Sequence, residues 1–203
     1  MNLAELPCRT LAIVRGRDRE AALRTVLTLA EEGLTASEVS LTTADALWVI
    51  ERARRSLGPS ALLGAGTVLT AADAARAAEA GASFLVTPGI TDTESRLPHL
   101  IGAFTPTEVI EAGRRGALAV KLFPASLGGP AYLSALRAPF PEVPFLPVGG
   151  VDAASAAAYL AAGAVAVGVG SPLIGDAADG GDLAALRTRA AHWRAALTEA
   201  AAR

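Results

Sequence analysis

The chain has 203 residues, and a hydrophobic fraction of 52% with 19% charged residues supplies one large core and excludes an intrinsically disordered protein. The formal net charge is only −2, and basic residues do not cluster with aromatic ones, which argues against nucleic-acid binding. The single cysteine, Cys8, allows neither an internal disulfide nor a metal site built from cysteines, as is usual in a reducing cytoplasm.

No segment at the N-terminus has the basic start and apolar run of a signal peptide. Residues 153–175 are uncharged over a length that could span a bilayer, but they are mostly Ala and Gly, and Gly163 and Pro172 interrupt them. A helix, a turn and a buried strand account for this segment better than a transmembrane helix. We therefore expect a soluble cytoplasmic protein that does not bind a membrane.

Strand and helix patterns alternate along the whole chain, without a linker or a low-complexity tract. Short apolar or alternating runs predict eight strands, at residues 10–15, 36–41, 61–66, 83–86, 99–104, 118–122, 144–148 and 164–169. The intervening segments predict helices at residues 19–32, 46–56, 71–81, 92–97, 106–113, 130–137, 153–162 and 183–201. The predicted N-caps are Asp18, Thr70, Thr105 and Asp152.

Eight strand–helix units at this length predict a single α/β domain over residues 1–203, folded as a parallel (β/α)₈ TIM barrel. The alternative is an open, doubly wound sheet that binds a dinucleotide. Its glycine fingerprint is missing, because leucine stands at both positions, Leu69 and Leu173, where a third glycine would be needed. A closed barrel places its chemistry at the carboxyl ends of the strands.

Lys121 stands out because it is the only lysine beside 17 arginines. The apolar residues that alternate with it are Leu118, Val120 and Leu122. We expect them to pack against helices, so that Lys121 points into the barrel. Burial favours the neutral amine of a lysine, and a neutral amine on a rigid strand can attack a carbonyl, which arginine cannot do. The alternative is a structural lysine at a strand end, either at the surface or in a salt bridge.

Glu38 is the candidate proton carrier. On the second predicted strand, Val39 and Leu41 are expected to face the helices. Glu38 and Ser40 are then inside, together with Lys121. A carboxyl group beside an amine, with a pKa tuned by burial, can move protons during a reaction. A purely structural ion pair between the two groups is the alternative.

Glycines end the seventh and eighth predicted strands, where phosphate sites of this fold usually lie. Gly149 and Gly150 follow one strand, and Gly170 and Ser171 follow the other. Backbone N–H groups approach an anion closely at glycine, and a serine hydroxyl adds a donor. We predict a phosphate site there, with ordinary glycine turns as the alternative.

Two further polar residues end predicted strands. Arg15 and Thr67, after the first and third strands, are candidates for binding a second anion, such as a carboxylate, near Lys121. The alternative for Arg15 is a surface arginine just past its strand. His99 and His192 have no partners at the spacing of metal ligands, so no metal is predicted.

Six segments at these strand ends form a recognisable set: Glu38-Val-Ser-Leu41, Gly64-Ala-Gly-Thr-Val-Leu69, Thr87-Pro-Gly89, Lys121-Leu-Phe-Pro-Ala125, Pro147-Val-Gly-Gly150 and Gly170-Ser171. Together they resemble the 2-keto-3-deoxy-6-phosphogluconate (KDPG) aldolase family. That family includes the 4-hydroxy-2-oxoglutarate (KHG) aldolases and the 6-phosphogalactonate homologues. The resemblance covers nearly the whole chain in register. The segments at residues 64–69 and 121–125 are specific when they occur together.

The resemblance implies a metal-independent class I aldolase on a (β/α)₈ barrel, commonly a homotrimer, with a Schiff base on the enzyme in place of a cofactor. It implies that Lys121 forms the imine, that Glu38 is the general acid and base, and that Thr67 binds the carboxylate of pyruvate. Pro88 and Phe123 would be walls of the pocket. The glycine loops would hold the phosphate.

Two features depart from gluconate-type members of the resembling family. Thr42 stands where those members carry an arginine, four residues after the glutamate. Arg15 and Val148 instead resemble galactonate-type members. The resemblance therefore implies a carboxylate clamp that has moved to the first strand, and it leaves the preferred C4 epimer open.

The expected activity is reversible cleavage of a 2-keto-3-deoxy-6-phospho sugar acid to pyruvate and glyceraldehyde 3-phosphate, with 4-hydroxy-2-oxoglutarate as a further candidate substrate. One alternative is a phosphate-binding isomerase, epimerase or synthase of the same architecture, in which Lys121 acts without a covalent bond. Another is a non-catalytic protein that binds phospho sugar acids. The paired Lys121 and Glu38 argue against the latter.

Overall fold

The computed structural model describes residues 1–201, with side chains described through residue 200. The eight strands in this part of the chain are β1 (Thr10–Val14), β2 (Ala36–Ser40), β3 (Leu62–Gly66), β4 (Leu85–Val86), β5 (His99–Ala103), β6 (Ala119–Leu122), β7 (Phe145–Pro147) and β8 (Val167–Val169). The α-helices are α1 (Arg19–Glu31), α2 (Ala46–Leu57), α3 (Ala71–Glu79), α4 (Pro106–Arg114), α5 (Gly129–Arg137), α6 (Ala153–Ala161), α7 (Ser171–Ile174) and α8 (Leu183–Ala201). Short 3₁₀ turns lie at Leu3–Glu5, Pro7–Arg9, Ala125–Leu127 and Ala177–Asp179.

The strands are all parallel and follow one another in chain order around a barrel, with β1 paired to both β2 and β8. Between β7 and β8, Val148 pairs with Gly168, and the N–H of Val165 donates to the carbonyl of Phe145 at 2.9 Å. The strand order never reverses, so the sheet has no switch point of the kind that a doubly wound fold uses for ligands. The predicted single-sheet barrel is confirmed, and the doubly wound alternative is wrong.

The helices begin at the predicted caps. The carboxylate of Asp18 accepts hydrogen bonds from two N–H groups in the first turn of α1, at 2.8 and 3.0 Å. Thr70 and Thr105 each form a reciprocal capping box with the acidic residue three positions later, and Asp152 forms one with Ser155. These caps satisfy N–H groups that have no partner within the helix, so the starts of α1, α3, α4 and α6 are fixed by local sequence.

The barrel interior is filled at its amino end. The N-terminal 3₁₀ turns bring Leu3 and Leu6, each 4% exposed, into one apolar cluster with the fully buried ring of Phe84. That ring fits because Gly64 has no side chain: a Cβ there would lie 2.3 Å from it. A second apolar layer lies between the strands and the helices. Open space inside the barrel is therefore left at the carboxyl end.

The helix predicted at residues 92–97 is absent, and no helix separates β4 from β5 in the described chain. This segment contains a single apolar residue, Leu97, so it has no apolar face to lay against the barrel. The side chain of Arg115 instead holds it in an irregular path, by donating to the carbonyl of Thr91 at 2.8 Å and to the carboxylate of Asp92 at 3.0 Å.

Several strands are shorter than predicted. β4 contains only two residues, and β8 begins at Val167 rather than at residue 164. The expectation that Leu118 packs against helices is wrong, because β6 begins at Ala119 and Leu118 contacts the cluster inside the barrel. Val120 and Leu122 lie in the outer layer as expected.

The uncharged stretch at residues 153–175 folds as α6, a turn, β8 and α7, as its composition predicts. Within residues 1–201 no helix combines the length and the apolar character that crossing a bilayer requires.

The cap of α4 provides a test of locally fixed helix starts. Thr105→Ala removes the hydroxyl that accepts the N–H of Glu108 at 3.4 Å, and we expect the free energy of unfolding to fall by about 1 kcal/mol. Urea titration measures the change. Thr107→Ala, at an exposed position two residues further on, is the matched control and should stay within about 0.5 kcal/mol of the wild type. Equal losses in both variants would contradict the capping role.

Candidate active site

A cavity of about 280 Å³ lies at the carboxyl ends of the strands. It is lined by all ten residues that the sequence predicts for the site: Arg15, Glu38, Thr67, Pro88, Lys121, Phe123, Gly149, Gly150, Gly170 and Ser171. Nine lie on a strand or in the loop that follows it, and Ser171 is the first residue of α7, directly after the loop that follows β8. Of the eight strands, only β5 contributes none of them. Residues that are distant in sequence meet because parallel strands end at the same rim.

The remaining lining residues are Ile13, Ser40, Val148, Val151, Gly168 and Pro172. The sequence offers a signal for two of them. Ser40 shares the inner face of β2 with Glu38, and Ile13 lies two residues before Arg15, which is the strand period. Val148 and Val151 make the wall beside the glycine loop apolar.

Lys121 lies on β6, and its residue is only 6% exposed. Its neighbours in the strand point into the outer apolar layer, so the strand period turns Lys121 inward. Its Nζ lies 5.2 Å from the centroid of the Phe123 ring. Opposite it on β5 is Gly102, where a Cβ would lie 2.2 Å from the backbone of Pro88. The missing side chain lets the loop after β4 approach Lys121.

Glu38, on β2, is 2% exposed. Burial removes water from its carboxyl group and raises its pKa above the ordinary value of 4.5, while the cationic forms of Lys121 and Arg15 oppose that rise. Gly66, opposite Ser40 on β3, leaves room for this carboxyl, because a Cβ there would lie 2.8 Å from Oε1. A carboxyl group with a raised pKa holds its proton more readily than an ordinary carboxyl group and can pass it on.

Glu38 and Lys121 share the cavity without touching. Among the described residues, no carboxylate oxygen of Glu38 lies within 4.0 Å of a cationic nitrogen, and its buried Oε2 has no hydrogen-bond partner. The alternative of a direct structural ion pair between Glu38 and Lys121 is therefore wrong. Oε2 of Glu38 thus has no partner among the described protein groups.

Thr67 has an unusual backbone conformation. Its φ of 57° is in the left-handed region, which is uncommon for a β-branched residue and costs on the order of 1–3 kcal/mol. Neighbouring ladder bonds hold it: the N–H of Val68 donates to the carbonyl of Val86 at 3.1 Å, and the N–H of Leu41 donates to the carbonyl of Gly66 at 2.8 Å. The Thr67 hydroxyl is 2.9 Å from the hydroxyl of Ser40.

The two glycine loops present backbone donors to the cavity. Gly149 and Gly150 have φ values of 96° and 74°, which glycine adopts without steric cost. In the described chain, the N–H groups of Gly150, Gly170 and Ser171 have no backbone acceptor. Unpaired N–H groups that converge on one cavity form an anion-binding surface.

The structure places His99 on β5 and His192 on α8, and neither lines this cavity. Within residues 1–200, no group of three or more His, Cys, Asp or Glu side chains is arranged to hold a metal ion.

Comparisons with known proteins agree with this geometry. The sequence profile described as "KDPG and KHG aldolase" matches residues 5–188. A 2-dehydro-3-deoxy-phosphogluconate aldolase of Pseudomonas aeruginosa is 45% identical over 152 residues, covering 71% of this chain and 69% of the relative. A probable 2-dehydro-3-deoxy-6-phosphogalactonate aldolase of Rhizobium meliloti is 38% identical over 180 residues, covering 85% of each chain.

A solved structure shows the chemistry of one such protein. The KDPG aldolase of Legionella pneumophila, with pyruvate captured at low pH as a covalent carbinolamine intermediate, superposes with a TM-score of 0.78 and 29% identity. The match covers 98% of this chain and 93% of that one. The family profile spans most of the chain and both relatives exceed 30% identity over more than two thirds of it. The resemblance read from the strand ends is thus confirmed, and the chain belongs to the KDPG and KHG aldolase family.

Proposed function

We propose that this protein is a class I aldolase that reversibly cleaves a 2-keto-3-deoxy-6-phospho sugar acid to pyruvate and glyceraldehyde 3-phosphate. The observation that carries the proposal is the cavity itself, which is lined by a buried lysine and by a buried glutamate with a raised pKa that form no ion pair. The carbinolamine of the Legionella relative supports covalent chemistry at the lysine.

In the proposed reaction, the neutral amine of Lys121 attacks the C2 ketone of the substrate and forms a carbinolamine. Loss of water gives an imine, and the protonated imine withdraws electrons from the adjacent carbon. As the C4 hydroxyl loses its proton, the C3–C4 bond breaks, which releases the aldehyde and leaves an enamine. Protonation at C3 and addition of water then release pyruvate and restore the amine. No metal or cofactor takes part in these steps.

Glu38 is the proposed proton carrier for these steps. Its carboxyl group is buried, is inclined by burial to hold a proton, and has an oxygen without a partner. The space between Glu38 and Lys121 is where the reacting carbons or a bridging water would lie. Proton transfer by a positioned carboxyl group contributes about 10²–10⁴-fold to the rate of such reactions.

The two anionic ends of the substrate have separate candidate sites. Arg15 and Thr67 are proposed to bind the carboxylate next to the ketone, since a guanidinium and a hydroxyl both donate to carboxylate oxygens. The loops that contain Gly149–Gly150 and Gly170–Ser171 are proposed to bind the phosphate, because the N–H groups of Gly150, Gly170 and Ser171 have no backbone acceptor. Pro88 and Phe123 then form walls between the two sites.

Both C4 epimers are candidate substrates. Thr42 lies outside the cavity lining, whereas Arg15, which follows β1, is part of it; this supports Arg15 as the proposed carboxylate clamp. Pyruvate release from the gluconate epimer, the galactonate epimer and 4-hydroxy-2-oxoglutarate, measured side by side, ranks the three substrates.

The homotrimer and the cytoplasmic location stay predictions. Sedimentation equilibrium measures the oligomeric state.

Borohydride reduction in the presence of pyruvate tests the covalent step. We expect a stable pyruvyl adduct on Lys121, located by mass spectrometry of peptides, and the assignment is simple because the chain has no other lysine. Lys121→Arg keeps the positive charge and removes the amine, so it should form no adduct and lose at least about a thousand-fold in kcat. An isomerase or epimerase with a non-covalent lysine, or a silent binding protein, would yield no adduct in the wild type either.

Glu38→Gln tests the proton carrier. The amide cannot ionise, so we expect kcat for cleavage to fall about 10²–10⁴-fold while the borohydride adduct still forms. In the wild type, kcat should fall as the pH drops through the raised pKa of Glu38, which lies above 4.5. That acid limb should be missing from the residual activity of the variant. A wild-type level of kcat in Glu38→Gln would rule out the assignment.

Glu38→Gln should also change how the free energy of unfolding depends on pH. Because folding raises the pKa of Glu38, its ionised form is penalised in the folded state only; the penalty is absent below pH 4.5 and grows as the pH rises towards the folded pKa. The free energy of unfolding of Glu38→Gln, relative to wild type, should therefore rise between pH 4.5 and pH 7. Urea titrations at both values measure it, with exposed Glu142→Gln as the control that shows no such trend.

A further inference from the structure

Ser40 has a buried hydroxyl that the reaction above does not use. The residue is 2% exposed and lines the cavity beside Glu38 on the inner face of β2. Its Oγ lies 2.7 Å from Thr42 Oγ1 and 2.9 Å from Thr67 Oγ1. It also accepts a hydrogen bond from the N–H of Thr42 at 3.3 Å. Ser40 thus joins the exposed hydroxyl of Thr42 to the cavity-lining hydroxyl of Thr67.

The hydrogen-bonding capacity of a hydroxyl limits how these groups can be arranged. A serine hydroxyl has one proton to donate and two lone pairs to accept with. The N–H of Thr42 takes one lone pair of Ser40, which leaves one donor and one acceptor for two hydroxyl neighbours. One neighbour must therefore donate to Ser40 while the other accepts from it. The three hydroxyls form a directed chain with two possible directions.

The direction decides what Thr67 offers to a ligand. If Thr42 donates to Ser40 and Ser40 donates to Thr67, the proton of Thr67 is free to point into the cavity. If the chain runs the other way, that proton is bound to Ser40 and Thr67 presents only lone pairs. A carboxylate accepts hydrogen bonds and cannot donate them, so it selects the first direction.

We propose that Ser40 is a positioning residue, whose hydroxyl orients the Thr67 hydroxyl so that it donates to the carboxylate of the keto acid. The inference rests on the proposed function, because it takes the carboxylate to bind at Thr67. Ser40 does not touch the substrate in this role; it acts through Thr67. The fixed backbone of Thr67, with its φ of 57°, leaves the rotation of the hydroxyl as the variable that Ser40 controls.

The main experiment compares two ketones that bind the same amine. Borohydride trapping is titrated with pyruvate and with acetone, which has the ketone but lacks the carboxylate. In Ser40→Ala, the concentration of pyruvate that gives half-maximal trapping should rise about fivefold, since one donor to a charged group is no longer held in place. The value for acetone should stay unchanged. An equal rise for both ketones would show a general disturbance of the site and overturn the proposal.

Variants of the partner threonines refine the test. Thr67→Val removes the hydroxyl and keeps the shape, and Ser40→Ala should have no further effect on pyruvate in that background, because Ser40 acts only through Thr67. Additive effects would overturn the proposal. Thr42→Val should change the pyruvate value by less than about twofold, since Ser40 keeps its own proton for Thr67. Ser40→Cys, with a thiol of similar size that is a weak donor and acceptor, replaces Ser40→Ala if the latter does not fold.

The outcomes separate this inference from the proposed function. If wild-type protein forms no pyruvyl adduct, the aldolase proposal is wrong, and the role of Ser40 that rests on it is wrong as well. If the wild type forms the adduct and Ser40→Ala gives the same pyruvate titration, the chemistry stands and the positioning role of Ser40 is wrong.

Discussion

The structure depends on burying two ionisable groups in one cavity. Glu38 and Lys121 are 2% and 6% exposed, and burial penalises every charge placed there. A direct ion pair would relieve that penalty, and the barrel does not form one; instead, an oxygen of Glu38 stays without a partner. Oε2 of Glu38 has no partner among the protein's own groups, so the protein does not itself offset the burial of this carboxyl group.

The two ends of the barrel interior have different roles. The amino end is packed with apolar side chains, and the carboxyl end contains the cavity. At the amino end, Phe84 occupies the space beside Gly64, and Leu3 and Leu6 close the end, so this half contributes stability. At the carboxyl end, Gly66 makes room for the carboxyl group of Glu38. Glycine thus makes room for an apolar ring at one end and for a carboxyl group at the other. Which of these it accommodates depends on the side chain that approaches it from a neighbouring strand.

Much of the site follows from strand periodicity alone. The period of two turns Glu38 and Lys121 to one face, and parallel strands bring the polar residues and glycines at their ends together. Pro88 and Phe123 are predicted only from the family resemblance, and they line the same cavity. Periodicity does not reveal contacts that depend on lateral register. Ser40 meets Thr67 because β2 pairs with β3 so that Ser40 lies opposite Gly66, and because Thr67 adopts a left-handed backbone. Neither the pairing register of β2 with β3 nor the left-handed backbone of Thr67 can be predicted from the local sequence. The helix predicted at residues 92–97 does not form for a different reason: the segment has one apolar residue, Leu97, and therefore no apolar face to pack against the barrel.

The contacts of Ser40 show what Thr42 does at the position where gluconate-type members carry an arginine. In the resembling gluconate-type pattern this position carries a guanidinium, whereas here an exposed hydroxyl lies 2.7 Å from Ser40 and the cavity's guanidinium comes from Arg15 on the neighbouring strand. Relative to that pattern, the guanidinium that lines the cavity follows β1, and hydroxyl groups lie on the side of β2. In the proposed complex, Arg15 supplies the positive charge near the keto acid. Because a guanidinium donates in a fixed fork while a hydroxyl rotates freely, one side of such a site would be rigid and the other adjustable.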